Sequence, residues 1–262
     1  MKLRTKIWLI VAACLFLVGA ILFGGALSAM NWDFTKLSTD KLETNRYELT
    51  EDFQNITLTT VTADVTFLPA TDGKTTIICT EWENQKHSVT VEDGMLTIKM
   101  VDTRPWYHYI FNLHFGSPKL TVYLPNGEYG DLTVKATTGD IEIKNLIVDA
   151  INLHLTTGDA KLTDLSCTRL SLDATTGDAA LKNVITTGSL KLKATTGDVK
   201  FDGCDAADIF IKLTTGDVTG NLLTGKIFTV KTTTGDIDVP PSSGTGKCQI
   251  TATTGDVRLT IK

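Results

Sequence analysis

One four-residue motif, Thr-Thr-Gly-Asp, occurs seven times in the second half of this chain at a nearly constant interval. Its aspartates are Asp140, Asp159, Asp178, Asp198, Asp217, Asp236 and Asp256. The intervals between them are 19, 19, 20, 19, 19 and 20 residues. An interval this regular indicates structural units that stack on one another, each completing its core against the next.

Between the motifs, apolar and polar residues alternate in short runs, as in residues 151–155 and 209–213. Such alternation is typical of a strand with one buried face. Apolar residues also recur one, three and mostly six positions after each aspartate, which predicts columns of buried side chains. The sequence therefore predicts an all-β fold: a parallel β-solenoid (β-helix) of 19–20-residue coils with Thr-Thr-Gly-Asp corners, after one N-terminal transmembrane helix.

The residue types of the motif suit a tight corner. Glycine adopts positive φ without steric cost, and aspartate can accept hydrogen bonds from backbone N–H groups just beyond it. Alternation predicts that the second threonine of each pair faces the core and the first faces solvent. A column of carboxylates could also hold calcium, although one carboxylate per coil is a thin ligand set. We predict a structural cap and no cofactor, with calcium along the aspartate column as the alternative.

The N-terminus contains one uncharged apolar run, residues 7–27. As a helix this run would extend about 31 Å, enough to span the hydrocarbon core of a bilayer. Lys2, Arg4 and Lys6 precede it, so the positive-inside rule places residues 1–6 in the cytoplasm and the C-terminal domain outside. A cleaved signal peptide, cut near residues 26–28, is the alternative, but its apolar region is usually only about 7–15 residues long. We expect a single-pass anchor in the cell membrane.

The remaining chain divides by its regularity. Residues 28–50 are predicted to form a polar stem, residues 51–136 an irregular N-terminal β region and cap, and residues 137–262 the regular β-solenoid repeats. Atypical terminal coils are expected because the end of a stack must be covered.

Three segments of the irregular region have clear patterns. Residues 89–98 are typical of a hairpin, and residues 120–127 of a strand and turn that end in Pro-Asn-Gly. Residues 62–65 resemble a degenerate corner, in which Asp64 precedes Asp140 by 76 residues, four times 19. We expect the irregular region to belong to the same folded body as the repeats.

The charge balance limits the partners. The chain has 25 basic and 30 acidic residues, a formal net charge of −5. Residues 1–30 contain three cations and no anion, so 22 basic and 30 acidic residues remain outside, a net charge of −8. This excess of negative charge excludes nucleic acid as an expected partner. Envelope glycans, membrane proteins and cations remain compatible with it.

The anchor, the strand 120–127 with its Pro-Asn-Gly end, and the Thr-Thr-Gly-Asp corners resemble the bacterial "putative adhesin" family, domain of unknown function 4097. The resemblance covers roughly residues 40–262, and the repeated corner is its most specific part. It implies a β-solenoid on the cell envelope, often encoded near envelope-stress systems. It implies no catalytic residues for this chain.

Two surface features are candidates for binding. Lys193, Lys212 and Lys231 are predicted to lie on three successive coils beside Lys191, where they could hold an anionic envelope polymer. A solvated face balanced by nearby acids is the alternative. Residues 106–115 contain five aromatic side chains, which either cap the N-terminal end of the solenoid or contact a sugar, a partner or the bilayer.

The cysteines indicate packing rather than chemistry. Cys14 lies in the anchor, whereas Cys204 and Cys248 occupy core columns. Buried free thiols are therefore expected instead of a disulfide framework. The chain contains no Cys-x-x-Cys, Gly-x-Ser-x-Gly or phosphate-loop motif, and the sequence designates no catalytic, cofactor-binding or metal-ligating residue.

These features predict a non-enzymatic, membrane-anchored extracytoplasmic protein that binds or scaffolds cell-envelope components, as an adhesin or an envelope-stress accessory protein. A polysaccharide-acting β-helix enzyme is one alternative. Such an enzyme needs clustered carboxylates in a groove, whereas loops between the motifs grow by only one residue. A passive structural spacer is the other alternative.

Overall fold

The computed structural model describes residues 3–29, 31–32, 41–103 and 116–262. They fall in two compact units, one with the helix α1 (Leu3–Ala29) and one with seventeen β-strands. Helix α1 contains the predicted apolar run, and its segment Thr5–Ala29 is long and apolar enough to cross a membrane. A helix of this kind at the N-terminus fits both a membrane anchor and a signal sequence.

The strands are joined by hydrogen bonds into one sheet. In chain order they are β1 (Leu42–Leu49), β2 (Asn55–Thr60), β3 (Asp64–Pro69), β4 (Thr75–Trp82), β5 (Gln85–Glu92), β6 (Met95–Asp102), β7 (Lys119–Leu124), β8 (Glu128–Thr138), β9 (Ile141–Thr157), β10 (Ala160–Thr176), β11 (Ala179–Thr196), β12 (Val199–Thr215), β13 (Val218–Leu222), β14 (Lys226–Thr234), β15 (Ile237–Asp238), β16 (Gly246–Thr254) and β17 (Val257–Ile261).

Eight of the first nine strands close into a ring. The hydrogen-bonded order is β2–β6–β5–β4–β7–β3–β9–β8 and back to β2. Strand β4 is antiparallel to β5 and β7, and β5 is antiparallel to β6, whereas the other pairs are parallel. Strand β1, which lies within the predicted stem, adds to β4 in antiparallel fashion.

The predicted fold class, an open and purely parallel β-solenoid, is therefore wrong, although the all-β content and the N-terminal helix are as expected. The fold is a barrel-like ring of eight strands of mixed direction with further strands added to it. Tight turns are the physical cause. Asp93 and Gly94 have φ of 49° and 73°, the two positive values that a two-residue hairpin needs. They reverse the chain between β5 and β6 and confirm the predicted hairpin.

The long strands β10 to β12 add in parallel to β9 of the ring. Their partners lie at equivalent positions of the sequence, so that Ile141 pairs with Ala160, Ala160 with Ala179, and Ala179 with Val199. The degenerate corner joins the same arrangement, because Val65 of β3 pairs with Ile141. The interval of 19 or 20 residues is thus the register of these parallel pairs.

The core is one continuous apolar cluster that runs through the ring and the added strands. Residues one and three positions after the motif aspartates are buried, with two exceptions in the outermost layer, where Ile237 is 47% exposed and Val239 half-buried, and a third at Gly220, which adds no side chain to the core. Six positions after the aspartate, Leu223 is exposed and its neighbour Leu222 is buried instead, and Ser242 is exposed as well. The predicted columns are otherwise confirmed.

Close stacking explains the glycine of the motif. Gly177 has a φ of 140°, a region that residues with a Cβ rarely adopt. A Cβ at this position would lie 1.9 Å from the carbonyl oxygen of Gly158 in the neighbouring corner. Both the turn and the contact between corners therefore require glycine.

The last strands do not follow the order of the chain. Strand β12 pairs with β16, and β16 pairs with β14, so the later strand lies between two earlier ones. Likewise β17 lies between β13 and β15. Strand β16 buries Cys248, Ile250 and Ala252 there. In the outermost strand β14, Thr232 is paired with Ala252. The hydroxyl of Thr232 donates to the carbonyls of Thr234 and Gly255.

Candidate functional site

One register row across seven parallel strands of the described surface contains four lysines. We call it the cationic row. Its neighbouring members are paired across β8, β9, β10, β11, β12, β16 and β14. In this order they are Lys135, His154, Asp173, Lys193, Lys212, Thr251 and Lys231. Neighbouring strands are about 4.8 Å apart, so the row is a ladder of side chains at that spacing.

Two shallow depressions follow the row, with volumes of about 540 and 360 Å³. Asp173 and Lys193 line both, which makes them one continuous groove. Lys191 and the half-buried ring of Phe210 lie along the second depression, and exposed threonines of the corners lie along the first. Asp173 is the one carboxylic acid among the described residues that line the groove.

The lysines of the groove and of the cationic row have no acidic partner. In the part of the chain that the structure describes, no ion pair involves Lys135, Lys191, Lys193, Lys212 or Lys231. Asp173 instead faces the ring of His154, with 3.7 Å between Oδ2 and Nδ1. These contacts therefore do not support the alternative, in which nearby acids neutralise the lysines of this face.

The predicted order of the lysines needs a correction. Lys193 and Lys212 lie on paired strands, as expected, but Thr251 of β16 separates Lys212 from Lys231. The three lysines therefore do not lie on three successive strands. The cause is the position of β16, which the order of the chain does not indicate. Lys135, at the other end of the row, was not among the predicted binding lysines.

The aspartates of the motif form a hydrogen-bonded ladder. Oδ1 of Asp159 accepts the backbone N–H of Asp178 at 2.8 Å, and the same bond recurs along the whole column, from Asp64 to Asp236. The predicted role as an acceptor is confirmed, but the donor lies in the next corner of the stack rather than just beyond the aspartate. Each aspartate thus joins two neighbouring corners.

The threonine pairs differ from the prediction. Both threonines of all seven motifs are exposed, for example Thr175 and Thr176, so the prediction that the second threonine faces the core is wrong. The alternation of the strand ends at the buried or half-buried residue before the pair, such as Ala174. Beyond it the chain turns and both threonines are exposed, and in four motifs the first threonine lies beside the groove.

A second cluster of polar side chains lies inside the ring, where the sequence designated no site. Glu81 of β4 and His87 of β5 are only 1% and 3% exposed. Oε2 of Glu81 lies 2.7 Å from Nδ1 of His87 and also accepts the backbone N–H of His87 at 2.7 Å. Nδ2 of Asn45 donates to Oε1 at 2.7 Å, and Oγ1 of Thr60 lies 3.1 Å from Nε2 of the imidazole. Every polar atom of the pair has a partner.

The surroundings of this pair change two pKa values. Burial acts to raise the pKa of Glu81, but the hydrogen bonds from His87 and Asn45 outweigh it and hold the pKa below its ordinary value. Burial, with a smaller contribution from the Glu81 carboxylate, raises the pKa of the nearby Cys79 thiol to about 12. The cluster therefore contains a carboxylate and a protonated thiol at neutral pH.

The cysteines of the strands are buried free thiols, as the sequence predicts. Cys79, Cys167, Cys204 and Cys248 are all buried and free, and Cys14 lies exposed on α1. Burial raises the pKa of Cys248 to about 12 as well. The aromatic segment 106–115, predicted to be a cap or a contact surface, lies outside the described residues.

The chain belongs to the Toastrack DUF4097 family, which matches residues 53–262. The match includes every strand from β2 to β17 and confirms the family resemblance of the motif. No curated protein matches the chain.

Solved structures share this fold at low sequence identity. One from Bacteroides fragilis, described as a "putative adhesin", has a TM-score of 0.58 and 21% identity, and the match covers 84% of this chain and 97% of that one. Another from Parabacteroides distasonis, also described as a "putative adhesin", has a TM-score of 0.53 and 13% identity over 85% and 98% of the two chains. Identities this low establish the common fold and nothing further.

Proposed function

We propose that this protein is a non-enzymatic, membrane-anchored binding protein that holds an anionic polysaccharide of the cell envelope along its cationic row. The observation that carries the proposal is the set of four groove lysines, together with Lys231 at the end of the row, without an acidic partner. Long side chains with free ammonium groups, at the spacing of strands, suit a polymer that presents phosphate or carboxylate groups at intervals. Hydroxyls of the corner threonines add hydrogen-bonding groups beside them.

The negative net charge of the chain does not oppose this arrangement. Charges separated by more than about 8 Å are largely screened at physiological salt. A polymer in the groove therefore responds mainly to the nearby lysines rather than to the remote acids. Binding should therefore favour polyanions over neutral glycans, and its affinity should depend strongly on the salt concentration.

Anchoring and location complete the proposal. Helix α1 is long and apolar enough for a membrane span, and the cations before it favour a cytoplasmic N-terminus with the strands outside. The names of the two similar structures are in keeping with a surface role. A non-enzymatic role is favoured because glycoside hydrolysis usually requires two carboxylates, and the described groove has Asp173 alone.

The test compares two triple variants of the full chain in detergent micelles. Replacement of Lys191, Lys193 and Lys212 by glutamate should weaken binding to a polyglycerol-phosphate teichoic acid by at least tenfold, measured by isothermal titration calorimetry. The matched control replaces three exposed lysines that lie outside the row and the groove, Lys74, Lys182 and Lys200, and should bind like the wild type. Dextran serves as the neutral glycan.

Equal losses in the two triple variants would mean that only net charge matters, and the groove would not be the binding site. Unchanged binding in the groove variant would likewise refute the proposal. Circular dichroism of each variant verifies that its strands are intact.

A further inference from the structure

The buried cluster has the composition of a metal site. Cys79 and Glu81 alternate on β4 and both face the interior, and His87 faces them from β5. One ligand atom from each of the three side chains lies within 4.8 Å of the others. Among the described residues this is the one group of three or more such side chains. A thiolate, an imidazole and a carboxylate are the three ligand types that zinc uses in proteins.

Charge also favours a divalent ion. A carboxylate buried in an apolar core is costly unless a cation compensates for it. With a divalent metal, the thiolate of Cys79 and the carboxylate of Glu81 would give a neutral site. The nearest cationic side chain that the cluster contacts is His87, and it can supply only one positive charge, and only when it is protonated.

The neighbouring side chains hold the ligand atoms in suitable orientations. Asn45 occupies Oε1 of Glu81, so that Oε2 faces the imidazole. When Thr60 accepts the Nε2 proton of His87, the lone pair of Nδ1 points toward Glu81. The hydroxyl of Tyr47 donates to the backbone carbonyl of His87 at 3.2 Å. Such outer contacts fix tautomer and ring orientation in known metal sites.

We propose that Cys79, Glu81 and His87 bind one divalent transition-metal ion of the zinc class through Sγ, Oε2 and Nδ1. The ion forms three bonds to these atoms and displaces the thiol proton to solvent, while the proton between Nδ1 and Oε2 moves to Nε2, where Thr60 accepts it and the imidazole stays neutral. No electron is transferred. Nδ1 and Oε2, now 2.7 Å apart, separate to roughly 3.4 Å around a tetrahedral ion with bonds of about 2.1 Å. The ion then joins β4 to β5 from inside the ring.

The proton of the thiol sets the pH dependence of this site. Because sulfur binds a metal ion as the thiolate, metal must compete with a proton for the sulfur at neutral pH. Affinity should therefore increase with pH. This behaviour separates binding at Cys79 from adventitious binding at surface carboxylates, which are already ionised.

Cobalt(II) is the probe, because its thiolate complexes absorb in the near ultraviolet. The full chain in detergent micelles, first freed of metal with a chelator, should bind one equivalent of Co²⁺ with a thiolate-to-cobalt charge-transfer band and visible tetrahedral bands. Zn²⁺ should remove both bands and raise the melting temperature. Thr60→Val should weaken Co²⁺ binding about 10- to 100-fold while the band remains.

Two cysteine variants provide the matched pair. Cys79→Ser should lose the charge-transfer band, and Cys248→Ser, which changes an equally buried thiol far from any such cluster, should keep it. A circular dichroism spectrum like that of the wild type shows that each variant folds. No charge-transfer band in the wild type, or a band that survives in Cys79→Ser, would overturn the proposal. If Cys79→Ser does not fold, the test uses the wild type alone. Zn²⁺ should raise its melting temperature and release protons, and the absence of both effects would overturn the proposal.

Discussion

Glu81 shows how a single residue can depend on its surroundings. Its carboxylate is almost completely buried, yet four polar contacts in its cluster leave no atom without a partner. The sequence contained a signal for it, since Ile77, Cys79 and Glu81 alternate inward on one strand. That signal was too weak to use, because a polar residue at an inward position is equally typical of a strand that ends there. The partner His87 is fixed only by the turn between β4 and β5.

At this scale we predict that Glu81→Gln destabilises the protein at neutral pH and not in acid. The folded pKa of Glu81 is lowered, so its contribution is present above the unfolded pKa, which is near 4.5, and disappears as pH falls through the folded pKa. Guanidinium unfolding at pH 7 with EDTA should show a loss of about 2 kcal/mol relative to the wild type. The gap should narrow below pH 4.5.

Glu92→Gln is the matched control, because Glu92 is exposed at the end of β5, and it should leave the stability unchanged at both pH values. A gap for Glu81→Gln that is the same at pH 7 and pH 3.5 would contradict the assigned role of the charge.

The corners are the elements where sequence and structure agree most closely. Spacing, glycine and aspartate together predict a turn with an aspartate acceptor, and the structure has one at six of the seven motifs, Asp236 at the end of the column being the exception. The donor and the orientation of the second threonine were predicted incorrectly. Both depend on the neighbouring corner, which lies 19 to 39 residues away in the chain and leaves no mark on local alternation.

For these elements we predict that Asp178→Ala costs about 1 kcal/mol of stability, because the N–H of Asp198 loses its acceptor. Asp178→Asn should recover most of the loss, since the amide oxygen can accept the same bond. The free energy of unfolding is measured in urea for each variant.

Asp236→Ala is the control from the same column. Asp236 donates its N–H to Asp256, but its own carboxylate accepts no hydrogen bond among the described residues, because it is the last of the column. This variant should be close to neutral. Equal losses at Asp178 and Asp236 would show that the ladder is not the source of the stability.

The order of the strands is a property of the whole molecule. The predicted solenoid adds one layer after another in chain order, whereas the structure closes a ring first and later places β16 between β12 and β14. All three strands carry the same motif at compatible intervals, so the sequence allows either order. Burial distinguishes the two orders. Strand β16 buries Cys248, Ile250 and Ala252, whereas the corresponding side chains of the outer strand β14 are half-buried.

This order predicts which cysteine pairs can form disulfides. Lys212 and Thr251 are paired on neighbouring strands, so the double variant Lys212→Cys/Thr251→Cys should oxidise readily, since a disulfide requires Cα atoms about 4.4–6.8 Å apart. The pair Lys212→Cys/Lys231→Cys has one strand between its members and should not. Both are made in a Cys14→Ser background, because the remaining cysteines are buried.

Mass spectrometry of proteolytic fragments identifies the cross-linked pairs. Oxidation of the second pair in preference to the first would mean that β14 lies beside β12, in the order of the chain. That result would contradict the position of β16.

The sequence by itself determined the features that depend on short stretches: the apolar N-terminal helix, the alternating strands, the glycine-aspartate corners, the hairpin and the register of the parallel pairs. Tertiary structure alone decided the closure of the ring, the position of β16, the composition of the cationic row and the meeting of Cys79, Glu81 and His87. The physical reason is that alternation and spacing record which face of a strand is buried and how far apart equivalent residues lie. Which strand lies beside a given strand depends on core packing and on turns between distant segments. A regular sequence is compatible with several such arrangements.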